Sequence, residues 1–236
     1  MSILFFKKLA IRIKRLCMNP SEAFKSIEKD PDFLGPFSII LITIAFAILN
    51  QFILAQNIFF MIEEFNIKQV MHGFLLSNIQ LLLAVQLIIV ILMWLIIFAI
   101  NYSVSRMLGG EAESYALFSA SGYLYITQLL HFLSDTVALL IAIRSMPVLA
   151  IFMINSKVDD IAKSVGFGIW LSNYGMNLSF IREFTGWLFT LWGGLLNVYL
   201  MREVCYLDSK RAIVGGIIAY ILITIAAIFV NQMFYG

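Results

Sequence analysis

The chain has 236 residues, of which 61% are hydrophobic and only 13% charged, and its formal net charge is +2. A soluble domain carries about 25% charged residues, so the composition excludes a soluble globular protein and leaves the bilayer as the main solvent. The two cysteines, Cys17 and Cys205, stand in no C-x-x-C or Cys/His pattern, which argues against a disulfide framework or a metal site.

The N-terminal segment does not read as a signal peptide, because Ile3 to Phe6 is too short an apolar run and is succeeded at once by Lys7, Lys8, Arg12, Lys14 and Arg15. Wound as a helix, it puts Ile3, Phe6, Ala10, Ile13 and Cys17 on one face, with Leu9 and Leu16 at the edge and the five cations around the remainder. That pattern predicts an interfacial amphipathic helix, with its apolar face in the acyl boundary and its cations near anionic head groups. A basic N-terminus that merely sets topology is the plainer reading, and the two are compatible. A second short helix is predicted from Asn19, where Asn caps, Pro20 takes the first helical position and Glu22 sits where a capping-box acid belongs. It ends near Asp30, since Pro31 disfavours helix in the residue before it.

Residues 1–33 therefore form a membrane-surface region, and residues 34–236 a membrane domain. A spanning helix needs about 20 mostly apolar residues. Long runs without Asp, Glu, Lys or Arg place five spans at about 34–62, 74–105, 115–143, 184–201 and 212–230. One helix over the whole run from Lys68 to Arg106 would be about 55 Å long, so its start lies outside the membrane or the helix tilts. Between spans three and four, residues 144–183 hold short apolar pieces and a charged patch, read as an extracytoplasmic, interfacial or re-entrant connection, with spanning left open. With the N-terminus inside, eleven of the sixteen Lys and Arg fall on the inner side, which predicts N-in and C-out. The fold class is all-α: a five-span helical bundle behind a basic amphipathic helix.

Asp135 is the only carboxylate well inside an apolar segment, and such a placement costs at least about 2.5–3.5 kcal/mol. His131 lies four residues earlier and Gln128 three before that, so the three share a helical face. A proton relay or a cation site fits this stripe. A wetted interfacial position, or hydrogen bonds to a neighbouring helix, fits it as well. Asn78, Gln80, Gln86, Asn101 and Asn197 read as interhelical contacts, and Gly193-Gly194 and Gly215-Gly216 as close-packing points. No H-E-x-x-H, P-loop or G-x-S-x-G is present, and Ser119-Ala120-Ser121-Gly122 lacks the leading glycine of a nucleophile elbow. The chain reads as a non-enzyme without cofactor or nucleic-acid partner.

The seams between spans resemble those of the Ypt/Rab-interacting protein (Yip) family. Asn19 to Phe37 is similar to the segment that opens that family's membrane domain, with Asn19-Pro20, Phe24 four residues past the proline, and the acidic Asp30-Pro31 pair before the first span. Gly109-Gly110-Glu111 through Ser114-Tyr115 looks like the seam between its second and third spans, and Gly122-Tyr123 like its Gly-Tyr pair. Trp187 or Trp192, Arg202-Glu203-Val204 and Ser209 to Ala212 match its last quarter. Relatives commonly place a proline a few residues after the Gly-Tyr pair; here the positions read Leu124, Tyr125, Ile126 and Thr127, so no proline kinks span three. The resemblance implies a role in membrane organisation, with self-association or another membrane protein as partner. Eukaryotic relatives contact Rab GTPases, but no residue here identifies such a surface and that partner is not carried over. The short basic N-terminus resembles a prokaryotic member, which implies a plasma-membrane location.

Overall fold

A computed structural model of the chain describes residues 3–62, 65–66, 79–145, 150–153 and 173–235. The polypeptide is predominantly helical. Helix α1 (Ile3–Met18) carries the basic residues and α2 (Pro20–Lys29) begins after one residue. Asn19 caps α2 by accepting the Glu22 N–H at 3.4 Å, and Pro20 opens its first turn. The helix stops at Asp30, ahead of Pro31.

Helix α3 (Leu34–Asn57) covers most of the predicted first span, and the next five residues form strand β1 (Ile58–Ile62) instead of continuing it. β1 pairs antiparallel with β2 (Phe65–Asn66) and parallel with β3 (Ala150–Met153). The all-α class describes the membrane helices, and this small sheet is an addition to them that the charge-free runs do not announce. Its strands Ile-Phe-Phe-Met-Ile and Ala-Ile-Phe-Met are rich in β-branched and aromatic residues, which favour extended backbone, and their pairing joins segments far apart in sequence. β3 lies in the predicted 144–183 connection; residues 146–149 and 154–172 of that connection, and the predicted start of span two before Ile79, lie outside the described residues.

Helix α4 (Ile79–Met107) carries span two. Span three is divided into α5 (Ser114–Tyr123) and α6 (Ile126–Ser145) by a turn at Leu124–Tyr125. There the N–H groups of Leu124, Tyr125 and Thr127 donate to carbonyls three residues back, so one tight 3₁₀-type turn interrupts the α ladder without a proline. Helix α7 (Asn173–Glu203) contains the predicted fourth span and extends into the connection before it. Helix α8 (Ser209–Tyr235) is capped by Asp208, whose Oδ1 accepts the N–H groups of Lys210 and Arg211 at 3.0 and 2.9 Å.

Among the described residues, four segments are long and apolar enough to cross a membrane: Leu34–Ile53, Ile79–Met107, Ser114–Ile141 and Ser209–Val230. Helix α7 has the length for a fifth, but Gly193, Gly194, Asn197 and Tyr199 dilute its apolar content. Two compact units are distinguished, one comprising residues 1–43, 86–129 and 189–236, the other residues 44–85 and 130–188.

The first unit holds an aromatic core and close helix crossings. Trp94 stacks on Phe118 with centroids 4.5 Å apart and donates its Nε1–H to the Phe118 carbonyl at 2.9 Å. Phe33 stacks on Trp94 at 5.3 Å. A methyl group at Gly122 would come 2.6 Å from both Pro36 and the Trp94 ring, so only glycine admits this approach. The Asn197 amide donates to the Gly216 carbonyl at 3.1 Å, where a side chain at Gly216 would meet the Val198 backbone at 2.6 Å. Gly109 turns with φ of 83°, the left-handed region that favours glycine, and Gly110 packs against the Cys205 carbonyl, 2.9 Å from where a Cβ would stand.

Candidate functional site: an arginine-anchored helix and an intramembrane ion pair

Helix α1 does not present all five of its cations to the surface. Leu9, Arg12 and Leu16, spaced three and four apart, form its buried face, and Arg12 is only 2% exposed. Lys7, Lys14 and Arg15 are exposed, while Lys8 pairs with Asp30 at 2.5 Å. The expectation that Arg12 belongs to the surface group is therefore corrected. A guanidinium can leave water when its donors find acceptors in fixed positions, and here those acceptors converge.

Arg12 Nη1 donates to the Tyr123 hydroxyl at 3.1 Å and pairs with Asp32 Oδ2 at 3.0 Å. Its Nη2 donates to the carbonyls of Asp30 and Ser26 at 2.5 and 3.3 Å and lies 3.6 Å from Asp30 Oδ2. The Ser26 and Asp30 carbonyls belong to the C-terminal end of α2, where a cation also meets the negative end of the helix dipole. Tyr123 in turn donates to Asp32 Oδ1 at 2.9 Å. The Asp32 backbone is fastened to α5 as well: its carbonyl accepts the Ser119 hydroxyl at 2.6 Å and its N–H donates back to the same oxygen at 3.2 Å. Gly35 makes room for the phenol, since a Cβ there would stand 2.7 Å from Tyr123 Cζ. One guanidinium thus ties α1 to α2, to the Asp30–Asp32 loop and to α5.

Other seams meet α2. Ser21 donates to Glu203 Oε1 at 2.7 Å, Lys25 lies 3.6 Å from Glu203 Oε2, and Tyr206 donates to Glu28 at 2.5 Å. Tyr206 has a positive φ of 57°, an uncommon geometry for a bulky residue. The hydrogen bond to Glu28 holds its phenol in the protonated form, above the usual tyrosine range. Lys8 holds the Asp30 carboxyl below the usual carboxylate range. Burial pushes the Cys205 thiol up to about 11, so this cysteine is an inert part of the packing. The seam residues singled out in the sequence are structural at these points: Phe24, Tyr123 and Ala212 are fully buried, Pro20 is buried, and Pro31 separates two carboxylates that both reach Arg12.

The second unit contains the intramembrane carboxylate. Asp135 is 1% exposed, and its Oδ2 accepts Nε–H of Arg182 from α7 at 3.2 Å. His131 Nε2 lies 3.7 Å from Asp135 Oδ1, which accepts no hydrogen bond from the described residues. The opposing residue on α7 is Gly186, where a Cβ would stand 3.6 Å from His131 Nε2. Beside them Thr136 donates to Asn50 Oδ1 at 2.6 Å, and the Asn50 amide donates to the Phe132 carbonyl at 3.1 Å. Gln128 lies on the same helix with its side chain exposed. Arg182 is the partner that sequence reasoning misses, since by position it belongs to the connection before span four; its place two residues before the charge-free run of that span is the available signal. No cluster of His, Cys, Asp or Glu suited to a metal occurs among the described residues.

The sequence profile of the Yip1 domain matches residues 14–230, nearly the whole chain, leaving out only the first turns of α1 and the last turn of α8 among the helices. The chain belongs to the Yip1 domain family. Neither a curated protein nor a solved structure matches it. The profile begins at Lys14, two residues past Arg12, whereas the acceptors Asp30, Asp32 and Tyr123 all fall within the matched range. This Yip1 domain protein is thus a membrane protein with several apolar helices, and its N-terminal helix is fastened by an arginine that precedes the domain.

Proposed function

We propose that this Yip1 domain protein is a non-enzymatic, five-span organiser of a prokaryotic plasma membrane, acting by association with itself or with another membrane protein. Its N-terminus faces the cytoplasm and its C-terminus the outside, in line with the excess of Lys and Arg on the inner side. Helix α1 engages anionic lipid of the inner leaflet. One observation carries the reading: Asp30, Asp32 and Tyr123, which lie within the matched range, hold the N-terminal helix in place through Arg12. They serve to fix a membrane-surface element to the bundle.

Association is tested by mild solubilisation of native membranes after brief cross-linking, with mass determination of the intact complex. A homo-oligomer or a recurrent membrane-protein partner is expected. A lone monomer at native expression would contradict the proposal.

A second reading, a small transporter, channel or lipid-translocating protein, draws on Asp135. A buried carboxylate with one oxygen unmatched among the described residues, beside an imidazole, is a place where a proton or cation could bind. Arg182 weighs against it, since a guanidinium already neutralises the site. Liposomes containing wild type or Asp135→Asn, assayed for proton, ion and fluorescent-lipid movement, decide the matter; no flux in the wild type removes this reading.

A further inference from the structure

The two faces of α1 meet different surroundings. One face carries Leu9, Arg12 and Leu16 into the protein; the other leaves Phe6, Ala10 and Cys17 exposed, Phe6 at 63%. Lys7 and Lys14, two helical turns apart, lie together along one edge of this open stripe. An apolar stripe bordered by lysines suits the boundary of a leaflet, since lysine stems cover apolar surface while their ammonium groups reach phosphate oxygens. The charge count names the kind of leaflet. Arg12 is buried and Lys8 is paired with Asp30, while Lys7, Lys14 and Arg15 have no carboxylate partner among the described residues. The start of the first span is close in sequence, and Phe33 and Leu34 are exposed there.

On its inner face α1 reaches Tyr123, the last residue of α5, and the next two residues are the turn that breaks span three. The open stripe on one side of α1 and a helix break on the other are therefore joined through a single side chain, Arg12.

We propose that α1 is a lipid-reading clasp: anionic phospholipid bound along Phe6, Ala10 and Cys17 and at Lys7 and Lys14 tightens the Arg12–Asp32–Tyr123 contact, and through Tyr123 holds the Leu124–Tyr125 turn. The inference rests on the reading that α1 faces the inner leaflet. Docking fixes the orientation of the helix before lipid arrives, so the docked state binds the leaflet at a lower ordering cost than a detached helix. A ligand that prefers one state shifts the population toward it by its differential affinity.

The full chain in nanodiscs of phosphatidylcholine, with and without phosphatidylglycerol, tests this by hydrogen exchange. With anionic lipid at about ten times its dissociation constant, exchange should slow about tenfold in residues 5–18 and in residues 119–125. Replacing Lys7 and Lys14 by glutamine should abolish both responses. Tyr123→Phe, which keeps the ring and loses the hydroxyl, should preserve the response in α1 and lose it at 119–125. No lipid response in wild-type α1 overturns the leaflet reading together with the clasp. A response in α1 without one at 119–125 leaves the leaflet reading standing and overturns the clasp, as does a full response at 119–125 in Tyr123→Phe.

Discussion

Arg12 and Asp135 are both nearly sealed from solvent, one in each unit, and they are held in different ways. Arg12 is surrounded by two carboxylates, two backbone carbonyls and a phenol drawn from three segments, which leave its Nε as the one nitrogen unmatched among the described residues. Asp135 has one charged hydrogen bond, from an arginine whose side chain is 36% exposed, and a second oxygen that accepts no hydrogen bond from the described residues, with His131 Nε2 3.7 Å away. Removing one member of a buried pair strands the other, whereas a partner with access to polar surroundings can turn away. The value of a buried charge therefore lies in how completely its partners are fixed. By that measure the N-terminal helix is the better anchored element and the Asp135 pair the more adaptable one.

This contrast is broken most directly at Arg12. Arg12→Leu leaves Asp32 without its cation and the Tyr123 oxygen without its donor, and should cost about 3–5 kcal/mol, read as a fall in the thermal unfolding midpoint in detergent micelles. Next comes Gly35→Ala, which removes no charge but drives a methyl group into the phenol of Tyr123 and to 2.9 Å from Asp32 Oδ1; overpacking of this kind costs about 1–3 kcal/mol. If it proves neutral, the phenol is free to move and the anchor is looser than its distances imply. Asp135→Asn should have a smaller effect than Arg12→Leu, about 1–2 kcal/mol, and a double-mutant cycle with Arg182→Gln should give a coupling near the low end of about 0.5–3 kcal/mol. A coupling equal to the whole loss at Arg12 would erase the distinction between the two sites.

The smallest effect is expected at Lys8 and Asp30. The Lys8 ammonium lowers the Asp30 pKa in the folded state. The stabilisation is therefore fully present above the unfolded carboxylate value of about 3.9, and it is lost as pH falls through the lowered folded value. Both groups are solvent-screened, so the contribution is below about 1 kcal/mol. Lys8→Gln should reduce stability slightly at neutral pH and have no effect once Asp30 is protonated; an equal effect at both ends of an acid titration would contradict the pairing.

Several elements are legible in the sequence because their causes are local. Asn19 and Pro20 announce the start of α2, Pro31 its end, and charge-free runs locate the apolar helices. The double glycine at 109–110 marks a turn whose left-handed φ requires the first of the pair. The features that escape such reading depend on partners distant along the chain. Arg12 looks like one cation among five, since its phenol partner lies 111 positions away. Arg182 meets Asp135 across 47 residues, and β1 finds β3 only after several intervening helices. The turn at Leu124–Tyr125 has no proline to announce it. It coincides with Tyr123, which is drawn toward Arg12 and Asp32, and Tyr125, whose hydroxyl donates to the Val90 carbonyl at 2.9 Å.

The central claim, that Arg12 docks α1 on the bundle, is tested most directly by hydrogen exchange of residues 5–18 in the full chain, in neutral lipid. Wild type should exchange there at least about 10² times more slowly than Arg12→Gln, the factor that corresponds to the lower end of about 3–5 kcal/mol of anchoring. Equal exchange rates in the two proteins would mean that α1 is held without Arg12 and would contradict the account.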